Sequence, residues 1–167
     1  MTTSSPKTTN PILTVRNLSV ALPASGDRSF AVQGLDLTIQ SGEIVCVVGE
    51  SGSGKSVTAQ SVMGLLPKGQ LQPSSGEILL EGEGLLSCSP LRLRDLPGSR
   101  MAIIFQDPMT VLSPVLTDVS QVAEVLNIHT TLDDAACRMR VLDMMDAVHL
   151  PDPERMIDAY PHQLSGG

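Results

Sequence analysis

Eight consecutive residues constrain this chain more than anything else in it. Gly49-Glu50-Ser51-Gly52-Ser53-Gly54-Lys55-Ser56 fill every fixed position of the pattern G-x-x-x-x-G-K-[ST], directly after an apolar run. The order has a physical logic. Glycines let the backbone curl until successive N–H groups point inward, and side chains there would block a phosphate. Lys55 supplies a point charge for the outer phosphates, Ser56 a hydroxyl for Mg²⁺, and a helix starting there turns its positive end toward the anion. The flanks fit. Residues 44–48, Ile-Val-Cys-Val-Val, read as a strand buried on both faces, and residues 57–66 read as a helix. A Gly/Ser linker matching by chance would not carry both flanks.

The 167 residues could form one ordinary domain with a real core. Hydrophobic residues make up 41% and charged residues 17%, as expected of a folded chain, and the net charge of −7 argues against nucleic acid as the main partner. No stretch reads as a membrane span. Residues 1–10, a Thr/Ser-rich leader read as disordered, lack the apolar core of a signal peptide, so the expected location is cytosolic. Cys46, Cys88 and Cys137 are odd in number and widely spaced, which suggests small buried or half-buried side chains rather than a disulfide framework or zinc site.

Along the chain, residues 12–20 and 31–39 read as an antiparallel hairpin, with turn material at 25–27. Residues 40–43 lead into the first buried strand. Pro67-Lys68-Gly69 ends the helix, 75–82 has the cast of a short strand, and 101–105, Met-Ala-Ile-Ile-Phe, reads as a second buried strand stopped by Gln106-Asp107-Pro108. Beyond it the pattern turns helical. Leu132, Ala135, Ala136, Met139, Leu142, Met145 and Val148 recur at spacings of three and four, with Asp133 and Asp134 suited to the first turn. Asp152 is placed as N-cap and Pro153 as first residue of a further helix running to about Tyr160. Met139, Met144 and Met145 are expected to be core filling.

Two later segments narrow the field: Phe105-Gln106-Asp107-Pro108-Met109-Thr110 and Tyr160-Pro161-His162-Gln163-Leu164-Ser165-Gly166-Gly167. With Gly49 to Ser56 they make the chain resemble the ATP-binding subunits of ABC transporters, particularly importers of dipeptides, oligopeptides, nickel and glutathione, whose loop also reads V-G-E-S-G-S-G-K-S. The resemblance implies an α/β fold of the P-loop NTPase, ABC ATPase type. It would have the N-terminal part of a nucleotide-binding core over residues 11–106, made of an N-terminal antiparallel sheet and a partial parallel core, and a helical subdomain over 107–167 that carries the permease contact and the signature motif.

The resemblance also implies roles. ATP and Mg²⁺ would be bound by Gly49, Glu50, Ser51, Gly52, Ser53, Gly54, Lys55 and Ser56. Gln106 would reach Mg²⁺ and the attacking water. Ser165, Gly166 and Gly167 would close over the γ-phosphate held by a second ATP-binding subunit, in a homo- or heterodimer. Transmembrane permease subunits would be direct partners and an extracytoplasmic solute-binding protein an indirect one, placing the protein peripherally at the cytoplasmic face of the membrane. A Leu at position 22, where the family usually has an adenine-stacking aromatic, leaves Phe30 as the nearby substitute. Asp118-Val119-Ser120-Gln121 replaces a helix start that usually contains glycine.

The family's Walker B aspartate, adjacent glutamate and switch histidine follow the signature motif. These 167 residues are therefore expected to be a fragment with weak or absent hydrolysis of its own, aggregation-prone through residues 44–48 and 101–105. Two rival readings remain: a nucleotide-binding module without turnover, and a soluble ABC-type protein acting on DNA or ribosomes. The latter predicts basic surfaces or coiled-coil insertions.

Overall fold

The computed structural model describes residues 11–24, 28–106 and 112–163. They form two compact units, divided between Pro97 and Gly98.

The first unit is organised by a four-stranded antiparallel sheet in the order β2-β1-β3-β4, where β1 is Leu13–Ala21, β2 Phe30–Ile39, β3 Gln72–Leu80 and β4 Glu83–Gly84. The expected hairpin is present as β1 and β2. Its central strand departs from strict alternation, because both Leu18 and Ser19 are buried along with Val15 and Val20. Register shifts around residues 16–19 in both ladders, with Asn17 at φ 46°, reset which face each side chain occupies. Gly76 fits opposite that irregularity at φ 98°, where a Cβ would stand 2.5 Å from the Asn17 carbonyl oxygen. Val15, Leu18, Val20, Ile78 and Leu80 make the core of this unit.

Two helices accompany the sheet. Helix α1, Lys55–Val62, stops earlier than expected because Gly64 at φ 68° turns the chain, and its position leaves room for Leu93, which a Cβ there would meet at 2.8 Å. Helix α2, Pro90–Asp95, had no clear periodic signal at six residues. Its signal is local: Ser89 accepts from the Arg92 amide at 3.2 Å and Pro90 occupies the first helical position.

The two expected buried strands require correction. Residues 44–48 and 102–105 form no strand, and no parallel ladder occurs among the described residues. Ile44, Val48 and Ile104 are 92%, 88% and 96% exposed. An apolar strand becomes a buried strand only when neighbours hydrogen-bond its edges and cover its faces. Nothing among the described residues does so here. Cys46 is consequently exposed rather than buried.

The second unit is helical: α3, Asp118–His129; α4, Asp134–Ala147; α5, Pro153–Met156; and a 3-10 turn, Pro161–Gln163. Asp133 caps α4 by accepting from the Ala136 amide at 2.8 Å. The buried stripe of α4 is Cys137, Val141 and Met145, spaced by four; Val141 and Met145 pack with Ile157 and against Val119, Val122, Ala123, Leu126, Leu142 and Leu150. Met139 and Val148 are exposed instead, as are Leu132 and Met144, so of the three methionines expected in the core only Met145 enters it. The helix at Pro153 ends at Met156, short of Tyr160; Asp152 sits at its N-cap in left-handed backbone without a side-chain cap.

Candidate functional site

The Gly49–Ser56 segment joins the exposed stretch after β2 to the start of α1. Its closing residue, Gly54, holds φ 93° at the N-cap, and a Cβ there would meet the Ala31 carbonyl oxygen at 2.6 Å and Val32 Cγ2 at 2.8 Å. Only glycine lets the loop lie this close to β2. Past it, the Thr58 amide and hydroxyl both donate to the Gly54 carbonyl, at 2.8 and 3.0 Å, fixing the first turn of α1. No acidic side chain occupies that turn to offset the positive end of the helix dipole.

Lys55 folds back into the loop. Its Nζ donates to the Gly49 carbonyl at 2.7 Å, the Glu50 carbonyl at 2.8 Å and Ser53 Oγ at 3.3 Å. These oxygens hold the ammonium on the loop axis without a carboxylate hydrogen-bond partner among the described residues. Gly49 allows the fold-back, since a Cβ there would approach Ser53 Oγ to 2.9 Å. Ser51, Gly52 and Ser53 line the exposed outer curve, and Ser56, the second residue of α1, is exposed beside them. A curled backbone, an unneutralised helix start and a cation held on carbonyls suit a bound polyphosphate. Among the described residues no group of three His, Cys, Asp or Glu side chains forms a metal cluster; a hydroxyl and phosphate oxygens would suffice for Mg²⁺.

A side chain that the sequence did not single out also reaches this loop. Arg28, from the connection between β1 and β2, donates from Nη1 to the Gly52 carbonyl at 3.1 Å. No local pattern marks an arginine in a turn for such a role; the hairpin alone brings it there. Leu22 and Phe30 lie at the two ends of the same connection, both half-buried, with the Leu22 amide bonded to the Ser29 carbonyl at 3.0 Å.

Gln106 lies exposed in the second unit, at the end of the 102–105 segment. Ser165, Gly166 and Gly167, with residues 107–111, lie outside the described residues. Of the approach to that segment, His162 stacks on Tyr160 with ring centroids 5.7 Å apart, and Gln163 Oε1 accepts from the Tyr160 amide at 2.9 Å. In α3, the Asp118 carboxylate is buried with neither oxygen hydrogen-bonded, and burial pushes its pKa up. The amides of Asp118 and Val119 are spent on the Ala159 and Ile157 carbonyls, at 3.0 and 3.2 Å. Gln121 clamps the approach to the helix, accepting from the Ser113 amide at 2.7 Å and donating to the Ser113 and Leu116 carbonyls at 3.1 and 3.2 Å.

Loop, helix start and flanking antiparallel sheet define a P-loop NTPase of the ABC ATPase type. The family profile described as "ABC transporter" matches residues 32–167, and the chain belongs to that family. It is 43% identical over 159 residues to the peptidoglycan transport ATP-binding protein YejF of Agrobacterium fabrum, covering 95% of this chain and 29% of that one. It is 42% identical over 156 residues to the dipeptide transport ATP-binding protein DppD of Bacillus subtilis, covering 93% of this chain and 47% of the relative. The chain thus spans less than half the length of these relatives. The dimeric bacterial ABC transporter cassette MJ0796 has the same fold, with a TM-score of 0.78 at 24% identity over 92% of this chain and 63% of that one. Among the described residues no helix is long and apolar enough to cross a membrane.

Proposed function

We propose that the Gly49–Ser56 loop binds the phosphates of Mg²⁺-ATP, and that the complete protein uses ATP hydrolysis to energise import of small peptides. One observation carries the reading of the loop: Lys55 Nζ is held within it by the Gly49 and Glu50 carbonyls at 2.7 and 2.8 Å. Weak carbonyl partners keep the ammonium in place and give way to anionic oxygens, which bind a cation more strongly. In this reading the loop amides and Lys55 take the phosphates, while the Ser56 hydroxyl is the loop's group for Mg²⁺. Bound Mg²⁺ would neutralise charge developing on the phosphates during transfer. Ser165, Gly166 and Gly167 serve the nucleotide of a second ATP-binding subunit.

The import reading draws its support from the names of the relatives, which include dipeptide and oligopeptide transport ATP-binding proteins. Partners are then permease subunits, with a solute-binding protein acting through them, and the protein works peripherally at the cytoplasmic face of the membrane. The test is uptake of a labelled dipeptide by source cells whose chromosomal copy carries Lys55→Ala. Uptake should fall to background with the protein still present. Undiminished uptake of dipeptides and oligopeptides would overturn the import reading.

A further inference from the structure

Among the described residues, Arg16, Arg92 and Arg138 pair with carboxylates, those of Glu77, Glu83 and Asp158. Arg28 is held differently. Its hydrogen-bond partner among the described residues is the Gly52 carbonyl at 3.1 Å, on the outer curve of the same loop whose Gly49 and Glu50 carbonyls hold Lys55. Two cations therefore sit on backbone oxygens of one loop, in a chain whose net charge is −7.

A single exposed hydrogen bond adds little to the stability of the fold. What it shows is placement: a permanently charged planar fork lies beside the loop. A guanidinium has five N–H donors, and one carbonyl occupies one of them. An acidic protein repels a polyanion at long range, so affinity depends on cations placed at the binding loop itself.

We infer that Arg28 is a second phosphate ligand of the Gly49–Ser56 site, delivered by the β1–β2 connection and held in readiness on the Gly52 carbonyl until a nucleoside triphosphate binds. The inference rests on the proposed nucleotide site and adds to it a residue that lies outside the loop motif. Binding exchanges the neutral Gly52 carbonyl for anionic phosphate oxygens, which make the stronger, charge-assisted partner.

The experiment measures the affinity of the full chain for Mg²⁺-ATP by calorimetry, at low and high salt, with Arg28→Ala, Arg28→Lys, Arg28→Gln and Lys55→Ala. Arg28 is exposed, so the substitutions leave the fold in place. The expected result is a loss of about tenfold for Arg28→Ala, with part of the salt dependence lost, most affinity restored by lysine and little by glutamine. Glutamine can still donate to Gly52 but carries no charge. Unchanged affinity in Arg28→Ala, restoration by glutamine, or a loss that leaves the salt dependence intact would overturn the inference. Lys55→Ala separates the two levels: if it weakens binding while Arg28→Ala does not, only the role of Arg28 fails; if neither does, the loop is not the site.

Discussion

Gly54 and Ala31 touch across the gap between the loop and β2: a Cβ on Gly54 would stand 2.6 Å from the Ala31 carbonyl oxygen. The contact joins the loop to the sheet, so the geometry of the amides depends on a strand edge far away in sequence. Gly54→Ala adds this collision to the strain of a side chain at φ 93°, a combined cost of about 1–3 kcal/mol. The loop will move to relieve it. Calorimetry should show ATP affinity reduced at least about tenfold, while circular dichroism reports an intact sheet.

Asp118 is the buried charged residue among those described, with neither oxygen bonded and a pKa raised by desolvation. The native state therefore holds its proton to higher pH than the unfolded state does. Stability from this group is fully present below the unfolded carboxyl pKa and is lost as pH rises through the native value. Asp118→Asn removes the buried charge and should stabilise the second unit by about 1–2 kcal/mol at pH 7, with the gain shrinking toward acid pH. Denaturant titrations of the variant and wild type at pH 4 and pH 7 measure both quantities. A gain independent of pH would contradict the account.

Ile157 is fully buried against Val141 and Met145, whereas Met139 on the same helix as those two is 68% exposed. Ile157→Ala should destabilise the second unit by about 2–4 kcal/mol through lost burial and an unfilled cavity. Met139→Ala should change it by less than about 0.5 kcal/mol. Unfolding midpoints of the two variants make the comparison.

The same pair shows what a sequence reveals and what it withholds. Period three-and-four spacing identified α4, and Asp133 identified its start, because both signals are local. The choice of buried face was not local: Cys137, Val141 and Met145 win over Met139 and Val148 because α3 and Ile157 approach from that side. The hairpin of β1 and β2 was readable from alternation and turn residues. Helix α2 was not, being too short to show a period. Residues 44–48 and 101–105 misled for the opposite reason. Their composition states that they suit a covered environment, but pairing belongs to neighbours, and no described neighbour supplies it.

The candidate site divides in a similar way. The order of glycine, lysine and serine in the loop encodes its own curl, so the sequence alone located it. Arg28 reaches Gly52 once β1 and β2 pair, and the amides of Asp118 and Val119 bond the Ala159 and Ile157 carbonyls. Neither relationship exists until the chain has folded.

The proposed role of Gly49 to Ser56 is to hold nucleotide phosphates, with Lys55 as the principal charge. The most direct measurement is the Mg²⁺-ATP affinity of the full chain with Lys55→Ala, read by calorimetry on protein whose unfolding transition matches the wild type. A loss of about a hundredfold or more is expected, since an ammonium placed at the outer phosphates is removed from the loop. An affinity equal to that of the wild type would contradict it.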